Sequence, residues 1–172
     1  MHGSRFGSRL MPSFFYASEK PVTSLAETAY YRFLFLHDMQ EPYQKEIDSL
    51  HTLFCVAVNA ERCLDLLSKP YSDFIEKLTD RVNYSYCQAV GDWAVNQRDV
   101  QLIRALSARH PSHCNVAIAD PNAIRSREPT QLQSWLCRTS MSKISFSSRQ
   151  APEPQTFYVD DFCVDGKLPR PA

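Results

Sequence analysis

Glycine is scarce in this sequence. There are four in 172 residues, at Gly3, Gly7, Gly91 and Gly166. No two are spaced to build a G-x-G-x-x-G turn or a Walker loop, so a Rossmann dinucleotide site and P-loop nucleotide hydrolysis are both excluded. Net charge is lacking as well. Lys+Arg and Asp+Glu each number 19, without the basic excess of a nucleic-acid binder. No run approaches the roughly 18–20 apolar residues that cross a bilayer. The start, Met1-His2-Gly3-Ser4-Arg5-Phe6, has no apolar signal-peptide core. A soluble, cytoplasmic protein with no membrane or nucleic-acid partner is expected. Six cysteines, at positions 55, 63, 87, 114, 137 and 163, include no C-x-x-C and read as reduced, mostly small core residues. His110, His113 and Cys114 are the tightest metal-like group, but a fourth ligand is absent nearby and no metal site is expected.

What is present suits one domain over residues 1–172. Apolar residues make up 44% and charged ones 22%, which excludes wholesale disorder. Ser13–Ser18 reads as a strand. A long helix is predicted from Pro21 to Asp38, with Leu25, Ala29, Phe33 and Leu36 as its apolar stripe. Pro21 and Thr23 or Ser24 mark its start, and Pro42 blocks its continuation. Leu50–Val58 reads as a buried strand, and Tyr71–Leu78 as a weaker helix. Asn83–Asn96 reads as a helix capped by Asn83, with Tyr86, Ala89, Val90 and Trp93 on its inner side. Strands follow at Gln101–Leu106 and Asn115–Ala119. A hairpin, Leu132–Thr139 with Lys143–Ser147, turns at Ser140-Met141-Ser142, and Phe157–Phe162 is a last strand. Residues 150–172 form a looser, Pro-containing tail that ends loosely over Lys167–Ala172. The order favours an α+β domain over a doubly wound sheet.

Four polar residues stand where apolar or small ones are the ordinary choice: Arg5, Tyr16, Glu27 and Ser107. Each also has a structural use. Ser24-Leu25-Ala26-Glu27 fits an S-x-x-E capping box. Tyr16 suits a strand rim, Ser107 a turn, and Arg5 a solvated terminus.

Taken together, their surroundings resemble a known family. Gly-Ser-Arg-Phe, Phe-Phe-Tyr-Ala-Ser-Glu, Thr-Ser-Leu-Ala-Glu-Thr-Ala-Tyr-Tyr-Arg, Ile-Arg-Ala-Leu-Ser-Ala-Arg and Cys-Asn-Val-Ala-Ile-Ala-Asp-Pro are similar to segments of the RES-domain family, named for its Arg, Glu and Ser positions. The eleven-residue steps from Arg5 to Tyr16 and from Tyr16 to Glu27 match that family's layout, and the resemblance runs from about Gly3 to Ala123. It implies an ADP-ribosyltransferase-like fold, a mixed and antiparallel β core flanked by helices. It also implies a toxin of a bacterial toxin–antitoxin pair that consumes NAD⁺ as substrate, without a cofactor, passing ADP-ribose to water or phosphate. By the same resemblance, Glu27 and Arg5 are catalytic, and Tyr16 and Ser107 bind substrate; Tyr31, one helical turn beyond Glu27 on the same flank, is a second-tier substrate-binding candidate that closes the pocket. Arg9 and Arg109 stay open as phosphate contacts.

The implied partners are an Xre-like helix-turn-helix antitoxin and a second copy in a homodimer. The alternatives are ADP-ribose transfer to a protein target and a catalytically silent binding module. Leu25, two residues before Glu27, stands where arginine-directed transferases carry a second acid. Family members usually have a further segment before the arginine. Met1 lies four residues before Arg5, so the start is either truncated or that of a minimal version whose sheet is completed differently.

Overall fold

The structure is a computed structural model that describes residues 3–41 and 44–171. Pro42, expected to block the first helix, and the chain start at Met1 lie outside the described residues. The described residues form two four-stranded sheets. The first has the order β1-β5-β4-β3, from β1 (Phe15–Ser18), β3 (Cys63–Asp65), β4 (Leu102–Leu106) and β5 (Cys114–Ile118). It is mixed, because β3 runs parallel to β4 while the other pairs are antiparallel. The second has the order β2-β6-β7-β8, from β2 (Ile47–Cys55), β6 (Thr130–Thr139), β7 (Lys143–Ser147) and β8 (Gln155–Tyr158), and is antiparallel throughout. The domain is therefore α+β, as the element order predicts.

Helix α1 (Pro21–His37) starts with Pro21 in its first turn after an extended Lys20, a position where the missing N–H costs nothing. Its stripe of Leu25, Ala29, Phe33 and Leu36 is buried, together with Tyr30. It packs on Trp135, Cys137, Ile144 and Phe146 of the second sheet. Each large side chain removed from water there contributes about 1.5–3 kcal/mol. The capping box does not form. Ser24 already lies inside the helix, and its carbonyl accepts the Thr28 hydroxyl at 2.8 Å. Glu27 turns elsewhere.

The short α2 (Ile75–Leu78) follows a 3₁₀ turn at Tyr71–Phe74. Helix α3 (Ser85–Asp92) continues as a π-turn over Trp93–Gln97. Its buried face is Cys87, Gly91 and Ala94. The expected inner face is corrected: Tyr86, Val90 and Trp93 are only partly buried, and Ala89 is exposed. Gly91 decides this. A Cβ there would sit 1.9 Å from the Phe6 carbonyl oxygen, so only glycine lets the 3–7 segment lie against the helix. Asn83 does not occupy the cap position, which is Tyr84. Its Oδ1 accepts the Ser85 amide at 2.9 Å in an Asx turn.

Three further expectations are corrected. β2 is not buried; its side chains alternate, and Leu50, opposite Leu136, is 83% exposed, because among the described residues no layer covers the outer face of the second sheet. The last strand stops at Tyr158, where Asp161 accepts the Tyr158 amide at 2.9 Å and a 3₁₀ turn (Val159–Phe162) buries Phe162. The expected loose tail is docked over residues 168–170, and Ala172 lies outside the described residues. Leu168 packs against the α1 core, Tyr30 donates its hydroxyl to the Pro169 carbonyl at 2.6 Å, and Arg170 pairs with Asp38.

Candidate active site

Elements distant in sequence converge at the start of α1. A cavity of about 270 Å³ there is lined by Arg5, Tyr16, Glu27, Tyr31, Tyr84 and Asn115, among others. Through Tyr16, Ala17, Ser18, Ser24 and Thr28 it shares a wall with a cleft of about 720 Å³ between the two sheets.

Glu27 is held at one oxygen. Ser107, just beyond β4, donates its hydroxyl to Glu27 Oε1 at 2.7 Å. Asn115, in β5, donates Nδ2 to the same oxygen at 2.5 Å. The direction of each donor is fixed from behind. Ser107 Oγ already accepts the Arg109 and His110 amides at 3.1 and 2.9 Å, so its single proton is the group left to give. Asn115 Oδ1 accepts the Ser18 hydroxyl at 2.7 Å, which orients the amide with its nitrogen toward Glu27. Glu27 Oε2 accepts no hydrogen bond among the described residues. A carboxylate is thus pinned with one oxygen left for a ligand.

Tyr16 works through both of its ends. Its hydroxyl accepts the Phe6 amide at 3.0 Å and donates to Ser4 Oγ at 2.9 Å, fastening the segment that carries Arg5. Its ring faces the cavity. Burial pushes the Tyr16 hydroxyl above its ordinary pKa, partly offset by those bonds. Burial, then the neighbouring Tyr84 and Glu27, does the same to Tyr31. Both phenols therefore stay protonated donors at neutral pH. Arg5 is buried, with Nη1 donating to the Leu106 carbonyl at 2.6 Å and Nη2 to the Leu78 carbonyl. Its fork ties the cavity floor to the ends of β4 and α2. Nε is buried without a partner among the described residues.

Arg5, Tyr16, Glu27 and Tyr31 thus line one cavity, and Ser107 lies beneath Glu27. Arg9 is exposed and does not line it. Sequence reasoning missed Asn115 and Tyr84. The signal for Asn115 was a polar amide opening an apolar strand, a residue type depleted in strands. Tyr84 lies in the turn before α3 and carried no periodic signal. The rings of His110 and His113 stack at 4.2 Å, while Cys114 Sγ meets Arg104 Nη2 at 3.5 Å.

Among the described residues, no helix is long and apolar enough to cross a membrane. No curated protein matches the chain. A family model described as the RES domain matches residues 1–140, a span that holds every side chain lining the cavity together with Ser107, and the chain belongs to the RES-domain family.

Proposed function

We propose that this chain is a toxin-type enzyme that cleaves the nicotinamide–ribose bond of NAD⁺, releasing nicotinamide and passing the ADP-ribosyl group to water or phosphate. The observation that carries this reading is the Glu27 carboxylate, fixed at Oε1 by Ser107 and Asn115 in a cavity walled by tyrosines and Arg5.

Breaking the bond sends its electron pair to the nicotinamide nitrogen, which becomes neutral, and leaves positive charge shared between C1′ and the ring oxygen of the ribose. A carboxylate held in place before the reaction stabilises that charge without reorganising. One such group is typically worth about 3–4 kcal/mol. Glu27 Oε2 accepts a hydrogen bond from a ribose hydroxyl and fixes the sugar's orientation. The rings of Tyr16 and Tyr31 cover the nicotinamide and keep water from its face. An acceptor oxygen then bonds to C1′ and loses its proton to solvent. Leu25, the residue two before Glu27, is buried in the α1 core, which speaks against an arginine-directed transferase with a second acid at that position.

The wider setting of this proposal is action on the cytoplasmic NAD⁺ pool, restraint by a helix-turn-helix antitoxin, and a homodimer. NAD⁺ consumption by the purified chain, with and without phosphate, tests the chemistry. Nicotinamide release that falls by about 10²–10³-fold in Glu27→Gln is expected, and phosphate dependence names the acceptor. A folded chain that leaves NAD⁺ intact in both buffers overturns the reading.

A further inference from the structure

Arg109 is a buried cation without an anion. It is 4% exposed, and its guanidinium carbon lies 3.6 Å from the centre of the Tyr30 ring. Nη2 donates to the Tyr84 hydroxyl at 3.0 Å and reaches the Arg81 carbonyl at 3.5 Å. Nε and Nη1 are buried with no partner, and Arg109 makes no ion pair, among the described residues. Burying an unpaired charge is costly, and stacking on a ring returns only part of that. A neutral side chain of similar shape would serve packing better. What the charge accomplishes is visible at its far end.

Tyr84 lines the same cavity as Glu27. Its oxygen accepts from Arg109, and its own proton is given to no group among the described residues. Burial, the larger effect, holds the hydroxyl above its ordinary pKa and keeps it protonated. Arg109 pulls in the opposite direction by drawing on the oxygen's electrons. The result is a polarised O–H in reach of the fields of Arg5 and Glu27.

We propose that Tyr84 is a substrate-contacting residue that donates its hydroxyl proton in a hydrogen bond to an oxygen of the bound NAD⁺, and that Arg109 is a positioning residue acting through it. The assignment rests on the NAD⁺ reading above. Tyr30 completes the support, since its ring carries Arg109 and its hydroxyl is tied to the Pro169 carbonyl.

The test is calorimetric binding of a carbocyclic NAD⁺ analogue, which resists cleavage, to the unsubstituted chain, Tyr84→Phe, Arg109→Met and the double variant. Melting temperatures and NAD⁺ turnover are measured alongside. Tyr84→Phe is expected to weaken binding about tenfold at an unchanged melting temperature. Arg109→Met is expected to weaken it similarly without lowering the melting temperature, and to add nothing when Tyr84 is already Phe. Equal binding by Tyr84→Phe, or additive losses in the double variant, overturns the Tyr84–Arg109 assignment and leaves the NAD⁺ reading standing. An unsubstituted chain that neither binds the analogue nor turns over NAD⁺ overturns both.

Discussion

Ser107 and Glu27 are eighty residues apart in sequence and 2.7 Å apart in space. The hydroxyl between them has one orientation available. Two backbone amides of the Ser107–His110 turn occupy the acceptor side of Oγ, and the proton goes to the carboxylate. The turn that follows β4 therefore aims a donor at a helix residue.

Ser107→Ala tests that coupling. It removes one donor from Glu27 and leaves the Arg109 and His110 amides without their acceptor. Turnover is expected to fall about 10–100-fold. Stability is expected to fall by about 1–3 kcal/mol, the cost of buried groups left unpaired. NAD⁺ consumption and urea denaturation read the two effects. Full activity in the variant would show that Asn115 alone suffices to place Glu27.

Asn115→Asp asks a different question of the same oxygen. The substitution keeps the shape and sets a second carboxylate against Glu27 Oε1, where an amide now donates at 2.5 Å. Like charges that close hold a shared proton, so the pair titrates above the ordinary carboxylate range. Activity that depends on the ionised carboxylate is then lost earlier as pH falls. The acid limb of kcat/KM is expected to move up by about one unit or more, whereas Asn115→Ala, which adds no second carboxylate, lowers the plateau and moves the limb less.

The periodic parts of the chain were the legible ones. The α1 stripe and the β6–β7 hairpin follow from spacing alone, because one face of each meets a core. β3, three residues long, is too short to carry a period. The exposed face of β2 was hidden by a different fact: apolar content marks a strand without saying whether a second layer covers it. Arg5, Tyr16, Glu27 and Ser107 stood out through family resemblance and Tyr31 through its helical spacing to Glu27, and the structure supplies their geometry. Asn115 and Tyr84 are fixed by partners on other elements, Ser18 and Arg109, and a linear pattern holds no trace of such pairings.

Gly91→Ala probes how Arg5 is held. The added methyl would lie 1.9 Å from the Phe6 carbonyl oxygen, so α3 and the 3–7 segment must separate. Overpacking of this kind costs about 1–3 kcal/mol. Because Arg5 precedes Phe6 on the displaced segment, turnover is expected to fall even at temperatures where the variant is fully folded. Circular dichroism melts and NAD⁺ consumption at low temperature measure the two losses separately.

His110 makes stability depend on pH. Its Nδ1 shares a hydrogen bond with Thr23 Oγ1 at 3.2 Å, and its ring stacks on His113. Burial first, then the His113 ring, holds its pKa below the ordinary imidazole value, with Glu27 pulling weakly the other way. Below about pH 6.5 the unfolded chain takes up a proton that the folded chain binds less readily. More protons on the unfolded side means that stability falls as pH falls. The melting temperature is expected to drop between about pH 7.5 and pH 5.5, and His110→Gln to flatten that slope. Some slope survives in the variant, since burial and Arg32 hold His51 below its ordinary value too. An unchanged slope in His110→Gln would assign the whole pH dependence to His51 and the remaining titrating groups.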